Sequence, residues 1–289
     1  MNWLEFQSAG EKFTQEEIDA LTIDVLDQYE YALKDITQML KDQYAKLTDV
    51  SKENYYNEMM KFNRLAKLQE EVKQSYTAYS KRAGLIIENA AFVGFSNNFY
   101  RAEYMASWMS TFDVGILPYN LAEYAVYGMA DTWKSISKSV GKTYGPATRY
   151  KSQSGTITEM LAKNRSAELQ AIKNQITQGL LQGKSYTKMA EGIKDIIGKQ
   201  MLKDGTYTAT GAKAKAIRIV RTESHRTMSA GHYAASKYLD SVGVDVKRKM
   251  LAVLDNRTRA QSASMDGQTI GIDEPFKYPD GSTSYYPGN

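Results

Sequence analysis

Residues 14–47 read TQEEIDALTIDVLDQYEYALKDITQMLKDQYAKL, and this stretch decides the fold class. Apolar side chains recur in it at steps of three and four residues, which is the period of one face of an α-helix. Thr14 and Glu17 have the spacing of a capping box, so we expect the helix to begin beside Thr14. Neither glycine nor proline occurs between Gly10 and Gly84, and a second amphipathic pattern covers about 52–82. The sequence therefore predicts a mainly α protein with an elongated helical N-terminal region.

An aromatic-rich segment follows, because Phe92–Trp133 holds eleven of the 32 aromatic residues. Tyr100, Tyr104, Trp108 and Phe112 are spaced four residues apart and share one face of a helix. Packing into the core is the common role of such a stripe. The alternative is a docking surface for a partner protein, since Tyr and Trp are favoured at interfaces. Few Lys or Arg flank the stripe, which disfavours a membrane-surface role.

A change in composition near residue 139 predicts the domain organisation. Ser139–Gly155 is rich in Gly, Ser and Thr and contains Pro146, as a linker does. We therefore expect a helical N-terminal region at 1–138, a linker with a basic lead-in at 139–168, and a C-terminal module at 169–289.

The C-terminal module is expected to be a small α+β unit with a short antiparallel sheet. Ser185 has the features of an N-cap for a short helix that ends at Gly198, and another helix is predicted from about Ala212 to Tyr238. One face of that helix carries small residues, which would let another backbone approach closely. Residues 203–208 are predicted to form a loop or turn, and alternation within 244–255 predicts a strand.

Charge is distributed unevenly along the chain, although the net charge is only +4. Residues 1–100 hold 11 Lys and Arg against 16 Asp and Glu, a net charge of −5. Residues 134–226 hold 18 against 6, a net charge of +12. A DNA or RNA partner would explain this stretch, with Lys213, Lys215 and Arg218 as candidate contacts; a solvated helix face is the other explanation, and charge alone favours it.

The absence of cysteine excludes disulfides, a thiol nucleophile and Cys-ligated metal sites. The two histidines, His225 and His232, are two helical turns apart, about 10 Å along the axis and beyond the reach of one ion. We therefore predict no metal site and no cofactor. Residues 1–10 lack the pattern of a signal peptide, and no apolar run is long enough for a membrane span, so no membrane insertion is expected.

Two polar clusters near the C-terminal end are the candidate functional residues. The first is Arg221, Thr222 and Glu223; the second is Asp255, Arg257, Thr258 and Arg259, followed by Asp266, Gly267 and Gln268. In one interpretation Glu223 is a general base and Arg257 or Arg259 clamps an anion. In the other, the carboxylates pair with the arginines and hold the helix to the hairpin. Chemistry alone favours the second, because no nucleophile, metal set or phosphate-binding glycine loop accompanies them.

These blocks closely resemble, in the same order, the Mu F-like head morphogenesis module of minor head proteins of tailed bacteriophages. The matching blocks are Ile219–Glu223, Lys247–Leu254, Asp255–Arg259, Met265–Gln268 and Asp273–Phe276. The resemblance covers roughly residue 169 to the end, whereas residues 1–150 match no motif. Ser262 stands where the family often has a histidine, and the family's usual Cys-containing end is missing. Both departures favour a non-catalytic role.

The resemblance implies a virion protein, located in the head interior or at the portal vertex and assembled in the bacterial host cytoplasm. It implies the portal protein as a partner, with scaffold or major capsid protein and double-stranded DNA as further candidates. It also implies that the polar clusters are structural or bind a partner, with no catalytic residue. The alternative is a phage-borne enzyme, a nuclease or an ADP-ribosyltransferase-like protein, which would use Glu223 and the Arg257/Arg259 loop.

Overall fold

The structure is a computed structural model that describes residues 3–109, 157–203, 206–241, 243–252 and 258–285. Within these ranges it is mainly α-helical with short antiparallel strand pairs in its C-terminal part, which confirms the predicted fold class. The helices are α1 (Trp3–Ala45), α2 (Tyr55–Met60), α3 (Arg64–Met109), α4 (Ile157–Leu181), α5 (Tyr186–Ile197), α6 (Gly211–Ser241) and α7 (Ala260–Ser264). None of the helices in this part of the chain is long and apolar enough to span a bilayer.

Helix α1 begins at Trp3, so the predicted start beside Thr14 is wrong. Thr14 is buried inside the helix, and its hydroxyl donates to the carbonyl oxygen of Gly10 at 2.9 Å. This bond to the preceding turn uses the hydroxyl that a cap would use, so the local pattern was misleading. Gly10 does not end the helix, and it makes room for Arg101: a Cβ at Gly10 would lie 2.6 Å from the Arg101 Cδ atom.

The second long helix lies further along the chain than predicted. Two 3-10 turns, Lys52–Asn54 and Lys61–Asn63, flank the short helix α2, and α3 then continues past Gly84 and Gly94 to Met109. Gly94 stays helical at a close packing contact, since a Cβ there would lie 3.1 Å from the Ser224 carbonyl oxygen. The prediction of a helix over 52–82 is therefore correct in type and wrong at both ends.

Three antiparallel pairs make up the strands in the described ranges. Strand β1 (Gln200–Lys203) pairs with β2 (Thr206–Ala209), β3 (Lys247–Lys249) with β4 (Thr269–Gly271), and β5 (Phe276–Lys277) with β6 (Thr283–Ser284). The segment predicted as a loop, 203–208, thus contains parts of β1 and β2. Within the described part of the segment predicted as a strand, 244–252, the strand covers three residues, and after Lys249 the backbone of Met250 bonds to the turn at Gly267 and Gln268.

Two helix predictions in the C-terminal half are confirmed. Ser185 is the N-cap of α5, its hydroxyl accepting from the Lys188 amide at 3.4 Å, and Gly198 follows the last residue with φ of 110°. Helix α6 includes the predicted range and shows the expected close approach at its small-residue face. A Cβ at Gly231 would lie only 2.3 Å from the carbonyl oxygen of Phe95 on α3.

The chain forms two compact units, each assembled from separate stretches of sequence. Unit 1 comprises the described residues within Met1–Ile18, Asn89–Gln153 and Thr222–Asn289, and unit 2 comprises those within Asp19–Glu88 and Ser154–Arg221. A core cluster of unit 1 contains the buried residues Phe95, Phe99, Ala230, Tyr233, Ala234, Ala235 and Ile272. Fully buried side chains of unit 2 include Leu26, Ile36, Leu40, Leu68, Tyr76, Ile172, Ile176 and Leu180.

The predicted domain boundaries differ from the limits of these units. Residues 139–156 of the predicted linker lie outside the described residues, and 157–168 form the first half of α4. The predicted module at 169–289 contributes residues to both units. The boundaries at 138 and 168 therefore stay predictions about sequence modules.

Candidate functional site

The first polar cluster lies on α6, where its members differ in exposure. Arg221 and Thr222 are exposed, whereas Glu223 is only 3% exposed. The Glu223 carboxylate forms an ion pair with Arg226 on the same helix, at 3.2 Å between Oε2 and Nη1. The Thr227 hydroxyl donates to the Glu223 carbonyl oxygen at 2.9 Å. Glu223 is thus built into the packed side of the helix, a position that suits a structural residue.

The block Asp266–Gln268 forms a turn that braces the segment after β3. The Asp266 carboxylate accepts the amide of Ala252 at 2.9 Å, and the Gly267 amide donates to the Met250 carbonyl at 2.9 Å. Gly267 has φ of 78°, a conformation that favours glycine. Met250 in turn donates to the Gln268 carbonyl at 2.9 Å. The motif therefore has a local backbone role, which explains the carboxylate at Asp266 and the glycine at 267; Gln268 contributes only its backbone carbonyl to these contacts.

The remaining motif residues are only partly described. Asp255 and Arg257 lie outside the described residues, so their predicted pairing stays a prediction. Thr258 is half-buried, and Arg259 is exposed at the N-cap position of α7 with an extended backbone. The structure thus brings Asp266–Gln268 together with the end of β3, and it leaves Arg259 at the surface.

Arg248, on β3, is the central polar residue of this region, and sequence reasoning missed it. Its guanidinium donates to three backbone carbonyls, those of Gly271, Glu274 and Tyr285. The same group lies 4.7 Å from the ring centroid of Tyr233 and 5.3 Å from that of Phe276. Burial lowers the pKa of Arg248 from its ordinary value, although the group stays charged. One cation thereby joins α6, β5 and the loops around β4 and β6.

The predicted nucleic-acid contacts at the start of α6 differ in accessibility. The Lys213 side chain is fully buried and ion-paired with Glu30, so this structure does not present it to DNA. Lys215 is 43% exposed, with its Nζ 3.3 Å from the Glu168 carboxylate, which also accepts the Tyr76 hydroxyl at 2.7 Å. Arg218 is exposed. Of the three candidates, Arg218 is thus the most accessible.

The predicted aromatic stripe begins at the edge of the unit 1 core. Tyr100 is half-buried and packs edge-on against Phe99, with 5.4 Å between ring centroids. Tyr104 and Trp108 belong to the backbone of α3, but their side chains lie outside the described residues, as does the whole of Phe112. Core packing and docking both remain predictions for the outer part of the stripe.

Both histidines line one cleft of about 500 Å³ in unit 1, together with residues of α1, α3 and α6. Burial lowers the pKa of His232 from its ordinary value of 6.5; Arg101 adds to this effect, and Glu11 opposes it. His232 is therefore neutral at physiological pH. Within the described ranges, no group of three or more His, Cys, Asp or Glu side chains could hold a metal ion.

Comparison with known proteins supports the family resemblance predicted from the motif blocks. Residues 170–286 match the family described as Phage Mu protein F like protein. This range is less than half of the chain and contains every motif block described above, and the match supports the resemblance of this C-terminal part to the Mu F-like family of phage head proteins.

The relatives include a structural protein and an enzyme. The minor head protein GP7 of Bacillus phage SPP1 is 24% identical over 283 residues, which are 95% of this chain and 81% of that protein. The NAD(+)--arginine ADP-ribosyltransferase EFV of Enterococcus faecalis is 30% identical over 120 residues, 42% of this chain but 22% of that enzyme. The chain thus spans less than a quarter of the enzyme's length. No solved structure shows significant similarity to the chain.

Proposed function

We propose that the protein is a non-catalytic minor head protein that binds the portal protein and double-stranded DNA during procapsid assembly, genome packaging or ejection. The observation that carries the proposal is the similarity to a minor head protein along nearly the whole chain. The protein would then reside in the head interior or at the portal vertex, after assembly in the bacterial cytoplasm. Detection by mass spectrometry in purified virions is the direct test, and absence from virions would overturn it.

The DNA part of the proposal rests on the first turns of α6. Residues 211–222 contain four Lys and Arg and no Asp or Glu. Arg218 and Arg221 are exposed on this segment, and Lys215 is partly exposed beside them. Arginine forks fit phosphate oxygens well, and such contacts release counterions without reading the base sequence. The expected binding is therefore independent of sequence and sensitive to salt.

A salt titration with a random-sequence DNA duplex tests this surface. Each phosphate contact adds about 0.9 to the slope of log K against log salt, so R218Q/R221Q should lower the slope by about 1.8. The matched control is K188Q/K194Q, which removes the same charge from exposed positions on α5. Equal slopes for the two double variants would show that α6 does not contact DNA, and no retention of the wild type at about 50 mM salt would overturn DNA binding itself.

The portal part of the proposal rests on the aromatic stripe, because Tyr and Trp are favoured at interfaces. Co-sedimentation of the full chain with purified portal protein of its own phage measures the interaction. Tyr104→Ala combined with Trp108→Ala should weaken it, whereas Phe13→Ala, which removes a 58% exposed ring from α1, should not. A wild-type chain that stays in the supernatant while the portal protein sediments would overturn portal binding.

An enzymatic role is the second candidate, because the chain shares similarity with part of an ADP-ribosyltransferase. Glu223 would be its acidic residue, yet this side chain is buried and paired with Arg226, which favours a structural role. We expect no release of nicotinamide from NAD with arginine present, and no cleavage of DNA with magnesium present. Turnover by the wild type that Glu223→Gln abolishes would establish the enzyme instead.

A further inference from the structure

The connection between α2 and α3 displays a strained and exposed aromatic residue. Phe62 has φ of 53° and ψ of 26°, and Asn63 has φ of 55°. Glycine adopts this left-handed conformation freely and Asn tolerates it, but a bulky side chain does so only at a cost. Phe62 is also the most exposed of the large apolar side chains in the described part of the chain, at 80%, and Met60 beside it is 52% exposed.

Charged residues on both sides of Phe62 pair with one another. The Glu58 carboxylate accepts from the Lys61 ammonium at 2.5 Å and from the Arg64 guanidinium at 3.1 Å, so it ties together the two sides of Phe62. The hydrogen bond from Lys61 lowers the pKa of Glu58, and the positive charges of Lys61 and Arg64 lower it further. Glu58 is therefore ionised at neutral pH, and both ion pairs are formed. The Arg64 guanidinium lies 5.7 Å from the ring centroid of Phe62. The paired charges and this contact restrict the segment around the ring, so less entropy is lost when the ring docks than from a free segment.

We propose that Phe62, with Met60 beside it, is an anchor that inserts into an apolar pocket on a partner protein of the phage head, with carboxylates around the pocket rim. Strained residues cluster at functional sites, and Phe, Met and Arg are all enriched at protein interfaces. Segment 58–67 carries Lys61, Arg64 and Lys67 against Glu58, a net charge of +2. An acidic rim complements this charge, whereas the same segment of a second copy would repel it. The inference rests on the proposed function as a head protein.

The substitution Phe62→Asn distinguishes a role in docking from a role in folding. We expect it to lower incorporation into procapsids and to raise the melting temperature. Asn removes the ring and tolerates the left-handed backbone, so the melting temperature should rise by about 2 °C. Incorporation into procapsids should fall at least about 30-fold, the loss expected for an interface anchor. The assay supplies each variant in trans to a phage that lacks the gene, and it counts copies per purified particle.

Leu85→Asn is the matched control, since it removes another apolar side chain of unit 2 that is 57% exposed, here on α3. Its incorporation should equal that of the wild type. Incorporation of Phe62→Asn at the wild-type level, or a lower melting temperature of that variant, overturns the anchor while leaving the proposed function intact. A wild-type chain absent from purified particles overturns both.

A photocrosslinker identifies the class of partner. With p-benzoylphenylalanine in place of Phe62, we expect one adduct with a protein of the purified procapsid, at an apolar site flanked by Asp or Glu. The same probe in place of Leu85 should give none. An adduct with a second copy of this chain, an adduct with DNA, or no adduct overturns the proposed occupant.

Discussion

Replacement of Arg248 should loosen the C-terminal strand region of unit 1. Arg248→Met removes the guanidinium and keeps an unbranched side chain, while Arg248→Lys keeps the charge and loses the planar fork. The fork is needed because the three acceptor carbonyls belong to three segments, at 23, 26 and 37 residues from Arg248. An ammonium group has a single nitrogen and cannot reach all three in the same geometry.

The size of the effect follows from these contacts. Each of the three hydrogen bonds from the charged guanidinium contributes about 1.5 kcal/mol, the low end of the usual range, because the group is only half-buried. The two cation–π contacts add about 1 kcal/mol. Removing the cation also relieves its desolvation, so the net loss for Arg248→Met is about 4 kcal/mol. Arg248→Lys keeps one or two bonds and should cost about 2 kcal/mol. Either loss is a large fraction of the stability of a typical domain.

Hydrogen exchange measured by mass spectrometry resolves this region from the long helices. A loss of about 4 kcal/mol in local opening corresponds to about 10³-fold faster exchange, and 2 kcal/mol to about 30-fold. The effect should appear in peptides that cover β3 to β6. Peptides from unit 2 should exchange as in the wild type, because none of the Arg248 contacts described involves that unit.

The matched control is Lys249→Met, which removes a cation from an exposed position on the same strand. It should change exchange by less than about threefold, as surface substitutions do. If hydrogen exchange in the Arg248→Met variant also changed by less than about threefold, the reasoning would be refuted. The segments that carry the three carbonyls and two rings would then stay packed without the guanidinium.

Three further substitutions have definite expected outcomes. Glu30→Gln should lower the free energy of unfolding in urea by about 3 kcal/mol, because it leaves the buried Lys213 ammonium without its carboxylate. Gly231→Ala should cost about 3 kcal/mol in the same assay, since the new methyl group would overlap the backbone oxygen of Phe95. His232→Gln should reduce the acid sensitivity of folding. Because burial lowers the pKa of His232, the unfolded state binds the proton first, and wild-type stability falls as pH drops below about 6.5.

Controls for these substitutions come from exposed or open positions. Glu16→Gln removes the exposed partner of Lys12, and it should cost less than about 0.5 kcal/mol. Gly271→Ala should be mild, because the nearest atom would lie 3.7 Å from the new Cβ. For His232→Gln, a pH profile of unfolding equal to that of the wild type would contradict the prediction. An effect no larger than that of its control would contradict the corresponding prediction.

The helical architecture was predictable because it rests on periodicity over many residues. Apolar residues recur with helical periodicity along α1 and α3, and small residues share one face of α6. Such a pattern extends over many residues, so a single exception hardly changes the prediction of a helix. Helix starts depend on a few local atoms instead, and Thr14 offered a capping pattern that the structure uses within a helix. The strands β1 and β2 are only four residues long, too short for alternation to stand out.

The candidate site was harder to predict, because its polar contacts join residues far apart in sequence. The motif blocks indicated the family resemblance and singled out Asp266–Gln268, but nothing near Arg248 in sequence indicates three carbonyls and two rings as its neighbours. Lys213 and Arg218 look alike in the sequence as cations on one helix. Only the fold shows that Glu30, 183 residues away, pairs with the first and leaves the second exposed.

This distinction changes what the charge of the middle segment means. A net charge of +12 over 134–226 suggests a broad basic surface, yet at the start of α6 carboxylates face Lys213 and Lys215, and the exposed cations are Arg218 and Arg221. Each phosphate contact contributes separately to the salt dependence, so two arginines predict a slope near −1.8 for this segment, far shallower than the composition implies. DNA binding through α6 by one copy should therefore be weak at physiological salt. If the protein holds DNA inside a head, the affinity should come from several copies that bind one duplex. A high effective concentration of binding sites then raises the overall affinity without additional contacts in each copy.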